Sequence, residues 1–578
     1  MVDAVAALPA GTLFAMGIVT LVAGRAWKSD ILCALLCGAA FALAAGAVGR
    51  EQFLTKDRPS LGAPEPQTVV AVQASDPLRM AAIGRFFIHD RLGRSATWLA
   101  LGLGLLAALA ASDGQSSRLD LRFAMLLLSL AGVLLAVIAN DLSLSLLAIE
   151  VAALPTTMLL FVEPGDGTTR AAAARSLALN LLALAMLVGG AVLVGLFFGT
   201  TNLDDLRAAL PQLATSRHVR TLAVTSPIVG QIGFVLLFAG LSVHFLAAPF
   251  QLAAAEIFDG AKFWSIGLTA LFPRGAALLL MIRILVVGAP RLHGTAQTLF
   301  TAVGFLSILM GSVLAVRQSR VRRLLAFLVV FQSGLILVAL AAGCSERARP
   351  AATSWLGMEV PGAVGAACLC FAFDSLAIVG LLALVASRRQ SDRRLDEIEQ
   401  VADVVRGDTL TVAALCVLTA SLAGIPPFAG FWSRVAILRS VLSISVPAEH
   451  GFLPHQNVDY VVVAIAAAGG LILLAVVTLG FVKRVLFDDL DTSRVEVLSD
   501  DRRPRLKFLE RAPFAIGLLA ALAIVVLGIS PGPATRIVAA VTADEHATSQ
   551  VSAGGGLSSP EGGAAVRRRR RAADVDDL

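Results

Sequence analysis

The chain has 578 residues, of which 57% are hydrophobic and 15% are charged, and its mean hydropathy is +0.81. Soluble globular domains carry about 25% charged residues, so this composition excludes a water-soluble enzyme, a disordered protein and a nucleic-acid-binding protein. The net charge is only +6, from 47 basic and 41 acidic side chains, so the position of the charges is more informative than their sum.

Apolar segments long enough to cross a bilayer follow one another along most of the chain. A hydrocarbon core about 30 Å thick requires a helix of about 20 apolar residues. The segments lack the alternation of a membrane β-barrel, so helices are the structure that satisfies their backbone in lipid. The sequence therefore predicts an all-α integral membrane protein of about fourteen spans, near 10–24, 31–49, 96–112, 120–139, 142–163, 172–199, 228–250, 262–288, 296–316, 321–342, 361–386, 409–443, 459–484 and 512–530.

The spans suggest three regions. Residues 1–95 are predicted to hold two N-terminal helices and a connecting loop, and residues 96–531 the transmembrane core. Residues 532–578, which end in a basic segment that includes Arg567–Arg571, are predicted to be a disordered tail. Basic residues concentrate in the loops after spans 1, 9, 11 and 13, which the positive-inside rule places in the cytoplasm. Both termini are therefore expected on the outer side.

Five ionisable residues fall inside the predicted spans, where a charged side chain is costly and is a functional candidate by default. They are Glu150 in span 5, His244 in span 7, Arg274 in span 8, Arg434 in span 12 and, as the weakest candidate, Asp374 in span 11. The alternative interpretation is that each is a structural polar contact between helices. Histidine can take up and release a proton near pH 7, whereas arginine stays charged.

Proline interrupts two of these spans. Pro249 lies in span 7 and Pro426–Pro427 in span 12. Proline removes a backbone donor, and transporters use paired broken helices, one in each internal repeat, as ion sites. The two breaks are five spans apart, which predicts two inverted five-helix repeats, spans 4–8 and 9–13. A simple proline kink is the alternative interpretation.

The cysteines give no sign of a metal or redox centre. Cys368 and Cys370 form a CxC pair, but no further ligand follows at metal-site spacing, so they are expected to be small core residues. The sequence also lacks a Gly-rich nucleotide fingerprint after a strand. We therefore expect no metal and no bound cofactor on this chain.

Four segments in register resemble the antiporter-like membrane subunits of respiratory complex I. They are NDLSLSLLAIEVAALP (140–155), HFLAAPFQLAAAEIFDGA (244–261), RQSRVRRLLAFLVVFQSG (317–334) and SLAGIPPFAGFWSR (421–434). The AEIFDGA turn favours the subunit N branch of bacterial NADH:quinone oxidoreductase over the cation/proton antiporter relatives. The resemblance covers about residues 80–530.

The resemblance also implies roles for particular residues. Glu150 falls on the family's glutamate, and Gln332 replaces a histidine. His244, Arg274 and Arg434 fall on lysines thought to carry protons. Because the arginines cannot release a proton, Glu150 and His244 remain as the titratable pair.

The function implied is a proton-translocating subunit of a multi-pass complex in the inner membrane. The other membrane subunits and the lipid bilayer would be its partners, nucleic acid would not, and the assembled complex would use quinone and NADH. The alternatives are a cation/proton antiporter subunit and a non-pumping structural subunit of the same complex.

Overall fold

A computed structural model gives the structure of the protein. It describes residues 7–27, 30–56, 87–88, 90–111, 118–162, 167–206, 227–287, 293–344, 353–355, 358–387, 408–445, 458–487 and 507–542.

The described residues are almost entirely helical. The helices are α1 (Leu8–Trp27), α2 (Asp30–Lys56), α3 (Arg91–Ala111), α4 (Leu119–Ile138), α5 (Leu142–Val162), α6 (Gly167–Phe198), α7 (Pro227–His244), α8 (Gln251–Gly260), α9 (Phe263–Leu280), α10 (His293–Val316), α11 (Val321–Gly343), α12 (Ala363–Ser387), α13 (Thr409–Ala423), α14 (Ala429–Ser445), α15 (Val458–Phe487) and α16 (Lys507–Ile529). A π-helical turn, Met281–Val287, continues α9. Between α11 and α12, strands β1 (Thr353–Trp355) and β2 (Met358–Val360) pair as an antiparallel hairpin.

The predicted membrane fold is confirmed. Among the described residues, twelve helices are long and apolar enough to cross a membrane. The two remaining spans are the ones predicted to be broken. Within span 7, α7 ends at His244 and α8 begins just after the span, whereas α13 and α14 together form span 12. The hairpin is the one departure from an all-α chain within the described residues, and it lies in a connection between spans.

Helix α11 lies at the centre of the bundle and is buried along almost its whole length. Helices α4, α9 and α12 are also mostly buried, whereas α2, α6 and α15 expose large apolar side chains such as Leu35, Leu196 and Ile472. Exposed leucine and isoleucine on this scale are stable in lipid and not in water. The centre of the bundle is therefore the part of the molecule that is shielded from lipid.

A backbone-to-backbone contact between α4 and α5 fixes the position of α5. A side chain at Gly132 in α4 would overlap the backbone of Val151 and Ala152 in α5. Only glycine permits this approach. The contact is one and two residues from Glu150 in α5, which lies buried in the interior of the bundle.

The predicted disordered tail begins too early. Residues 532–542 form a helix, in which Thr535, Ala539 and Thr542 are buried. Apolar residues three and four apart let this segment pack as a helix against the bundle, and the Gly- and Ser-rich composition begins only after it. Residues 543–578, with Arg567–Arg571, lie outside the described residues, as do residues 57–86 of the predicted N-terminal loop.

Candidate functional site

The first broken span ends in a left-handed turn. After α7 the backbone of Leu246 has a φ of 58°, and its N–H donates to the carbonyl of Val243 at 3.1 Å. The next N–H donates to the carbonyl of Ser242 at 3.1 Å. This pair of bonds is a Schellman motif, which ends a helix and satisfies its last carbonyls. The chain therefore leaves the helix before it reaches Pro249.

The second broken span ends in the same motif. Gly424 follows α13 with a φ of 76°, and its N–H donates to the carbonyl of Ser421 at 3.0 Å. The N–H of Ile425 donates to the carbonyl of Ala420 at 3.0 Å. The peptide bonds before Pro249 and Pro427 are both cis. The two breaks are thus alike in backbone structure, so neither is a simple proline kink in a continuous helix.

Glu150 and His244 meet at the first break. His244 is the last residue of α7, and its Nε2 lies 3.9 Å from Oε1 of Glu150 in α5. The side chains of His244 and Glu150 are 2% and 12% exposed. Within the described part of the chain, neither Nε2 of His244 nor Oε1 of Glu150 has a hydrogen-bond partner. The carbonyl end of a helix favours a positive charge. Two side chains that can carry a proton are therefore within ion-pair distance inside the bundle.

Arg274 of α9 reaches the same break through a serine. Its Nε donates to Oγ of Ser333 in α11 at 3.1 Å, and that hydroxyl donates to the carbonyl of Phe245 at 2.7 Å. The guanidinium carbon lies 5.2 Å from the centre of the Phe245 ring and 5.5 Å from that of Phe371. Arg274 is fully buried, and its two terminal nitrogens have no hydrogen-bond partner among the described residues. The guanidinium charge of Arg274 is thus stabilised by one hydroxyl and by the faces of two aromatic rings.

Asp374 of α12 and Arg434 of α14 form a buried ion pair at the second break. Nη2 of Arg434 donates to Oδ1 of Asp374 at 2.7 Å, and the side chains are 2% and 1% exposed. The same nitrogen donates to the carbonyl of Leu422 at 3.0 Å, and Nη1 donates to that of Gly430 at 3.0 Å. Arg434 therefore satisfies carbonyls on both sides of the break.

Together these contacts form one line of buried polar groups through the bundle. The five candidates predicted from the sequence all belong to it, and Arg274 interacts electrostatically with Asp374 and Arg434. We call this set the polar line; its members are Glu150, His244, Ser333, Arg274, Asp374 and Arg434. The line thus contains two carboxyl groups, two guanidinium groups and one imidazole.

Sequence reasoning missed Ser333 and the pairing of Asp374 with Arg434. A lone serine in an apolar span usually bonds its own helix, so nothing local marked Ser333. Gln332, which replaces the family's histidine, is fully buried, and its amide has no partner within the described residues. A further ion pair joins the buried Arg283, in the π-helical turn after α9, to the half-buried Asp90 at 3.0 Å.

The comparisons with known proteins agree with this architecture. The family model described as NADH:quinone oxidoreductase/Mrp antiporter, TM, matches residues 139–452, which include all five predicted candidates. NADH-quinone oxidoreductase subunit N of Paramagnetospirillum magneticum is 26% identical over 377 residues, which cover 65% of this chain and 73% of that protein.

Two solved structures share the fold. A chain of respiratory complex I from Thermus thermophilus gives a TM-score of 0.62 at 20% identity, over 92% of this chain and 99% of that chain. A chain of the Mrp complex from Dietzia sp. gives a TM-score of 0.65 at 17% identity, over 94% and 99%. The resemblance predicted from the four sequence segments is confirmed. The family model covers more than half of the chain, and the chain therefore belongs to the NADH:quinone oxidoreductase/Mrp antiporter transmembrane family.

Proposed function

We propose that this chain is the antiporter-like, proton-translocating membrane subunit of a bacterial NADH:quinone oxidoreductase. It couples the reduction of quinone by NADH, which takes place in partner subunits, to proton movement across the inner membrane. The family match and the name of its curated relatives support this assignment. In this proposal the chain itself holds no redox cofactor, and both of its termini lie on the outer side.

One observation carries the proposal: the polar line connects two broken spans inside an apolar bundle. Each break frees carbonyl groups that lipid cannot satisfy. Ser333 binds such a carbonyl at the first break, and Arg434 binds another at the second. Charge movement across a membrane requires polar groups at this depth, and transporters use paired broken helices as ion sites.

The polar line divides into groups that titrate and groups that stay charged. Glu150 and His244 are the proton carriers in this proposal, because a carboxyl and an imidazole can each take up and release a proton and their facing atoms lie 3.9 Å apart. Arg274 and Arg434 are fixed charges. A proton that arrives at His244 gives the line one extra positive charge. Arg274 is tied to the residue after His244 through Ser333, which binds the Phe245 carbonyl. We infer that this connection transmits a change at one break toward the other.

The proton-to-electron ratio of the complex tests this function. The Glu150→Gln complex in sealed vesicles is expected to keep most of its quinone reductase activity and to translocate fewer protons per electron. Glu256→Gln is the matched control, because that carboxylate is 47% exposed and pairs with Arg175 outside the line. An unchanged ratio in Glu150→Gln would contradict the proposal and favour a structural subunit.

A second candidate function is a cation/proton antiporter subunit, which the shared fold with the Mrp complex supports. Sodium-driven proton flux in vesicles without NADH distinguishes the two. Flux that depends on Glu150 under these conditions favours the antiporter, and flux that appears only with NADH and quinone favours the oxidoreductase. Co-purification with a quinone reductase identifies the partners.

A further inference from the structure

An apolar cavity of about 310 Å³ lies beside the polar line. Helices α3, α9 and α12 and the helix of residues 532–542 form its walls. Its deep residues, such as Phe272, Leu369 and Leu103, are almost completely buried. The volume is at the lower end of that of small-molecule sites in proteins.

The mouth of the cavity opens between α3 and the last helix. Leu99 and Ile537 line the cavity and are 39% and 61% exposed. In a chain that spans a membrane, large exposed apolar side chains face lipid. The cavity therefore opens toward the hydrocarbon of the bilayer.

The lining selects a hydrocarbon chain over a polar molecule. Its polar side-chain groups are the hydroxyls of Ser95 and Thr542 and the thiol of Cys368, and the remaining lining side chains are apolar. Recognition of a quinone ring or another polar head requires several converging hydrogen-bond donors or acceptors. A flexible alkyl chain needs only apolar contact.

Each of the two helices that form the mouth also carries an exposed arginine. Arg91 lies one helical turn before Ser95 on α3, and Arg536 precedes Ile537. Both side chains are exposed. A positive mouth above an apolar cavity is complementary to an anionic headgroup with its acyl chain.

We propose that this cavity binds one acyl chain of an anionic phospholipid, whose phosphate lies beside Arg91 and Arg536. The floor of the cavity includes Phe371, the ring that lies 5.5 Å from the guanidinium carbon of Arg274. The bound acyl chain thus packs against the ring of Phe371, which also lies close to Arg274 of the polar line. Neither the cavity nor the arginines belong to the proposed proton carriers, so this site stands independently of the proposed function.

Native mass spectrometry of the purified full-length chain, in its complex, tests the site. The probes are palmitoyl-oleoyl phosphatidylglycerol and phosphatidylcholine with the same chains. Ala100→Phe fills the cavity, and Ala178→Phe adds the same ring to an exposed position of α6. We expect Ala100→Phe to weaken phosphatidylglycerol binding more than about tenfold, since it displaces several methylene groups, and Ala178→Phe to leave it unchanged.

The headgroup contacts are tested separately on the surface. The double variant Arg91→Gln with Arg536→Gln is expected to reduce the preference for phosphatidylglycerol over phosphatidylcholine by about thirtyfold. Its control is Arg170→Gln with Arg175→Gln, which removes two exposed charges from α6. These surface variants decide the proposal even if Ala100→Phe does not accumulate.

Three results would overturn the proposal. The first is equal binding of the two lipids to the wild type. The second is that a variant and its control lose the same amount of phosphatidylglycerol binding or of headgroup preference. The third is loss of an isoprenoid quinone from Ala100→Phe with phosphatidylglycerol binding unchanged, which would assign the cavity to a quinone tail.

Discussion

The carboxylate of Asp374 accepts a 2.7 Å hydrogen bond from Arg434, and both side chains are almost completely buried. Arg434 also bonds the carbonyl of Leu422, at the end of α13. The guanidinium is therefore a structural part of the second break as well as a buried charge. This arrangement makes the second half of the polar line a fixed ion pair, and the proton exchange that we propose is assigned to Glu150 and His244 in the first half.

Removal of Asp374 should destabilise the protein strongly. Asp374→Ala leaves the Arg434 guanidinium buried without its counter-charge, which is expected to cost about 3–5 kcal/mol. Thermal unfolding of the purified protein in detergent measures the loss, and the double variant with Arg434→Met should recover much of it. A loss no larger than that of Glu256→Gln, whose exposed pair is worth about 0–1 kcal/mol, would show that the buried pair is not important for stability.

Ser333 should matter more than other buried serines. Ser333→Ala removes the partner of both the Phe245 carbonyl and Arg274 Nε. Each buried group left unpaired costs about 1–3 kcal/mol. Ser312→Ala is the control, because that hydroxyl is equally buried and bonds only carbonyls of its own helix. Equal melting temperatures of the two variants would mean that Ser333 does not hold the first break.

Gly424 should be intolerant of substitution because of its backbone. Gly424→Ala places a side chain at a φ of 76° and 3.0 Å from Cδ of Arg434, so it is expected to cost about 1–2 kcal/mol from the backbone alone. Gly469→Ala in α15 meets no atom within 4 Å and should be neutral or slightly stabilising. Thermal unfolding of both variants checks this. The prediction is wrong if Gly424→Ala has the same melting temperature as the wild type.

His244 should be replaceable by lysine and not by glutamine. Lysine is the residue that the resemblance implies at this position, and a buried ammonium group can exchange a proton. We expect His244→Lys to retain proton translocation in vesicles and His244→Gln to lose most of it, while both keep quinone reductase activity. Equal proton translocation by the two variants would show that the side chain at position 244 does not need to exchange a proton.

Much of the fold followed from local sequence patterns. Length and hydrophobicity predicted the spans, and proline in two of them predicted the breaks. Both signals are local in the sequence. The length of an apolar segment shows whether its helix can cross the bilayer, and a proline marks a residue that cannot donate a backbone hydrogen bond. The helical segment 532–542 was missed because it is short and adjoins the Gly- and Ser-rich tail.

The contacts within the polar line could not be read from the sequence. Asp374 and Arg434 are 60 residues apart, and Ser333 is 88 residues from Phe245. Such pairs depend on the rotation of each helix in the bundle, which an almost uniformly apolar span such as α11 does not encode. Opposite charges in neighbouring spans were the one signal that pointed to the Asp374–Arg434 pair.

Glu150 and His244, whose facing atoms lie 3.9 Å apart, act in this proposal as one proton-carrying unit. The most direct test is the proton-to-electron ratio of Glu150→Gln, His244→Ala and the double variant, measured in the same vesicles. Residues that act as a unit give non-additive losses. The proton-to-electron ratio of the double variant is therefore predicted to be no lower than that of the more impaired single variant. Losses that add, or single variants with the wild-type ratio, would contradict the account.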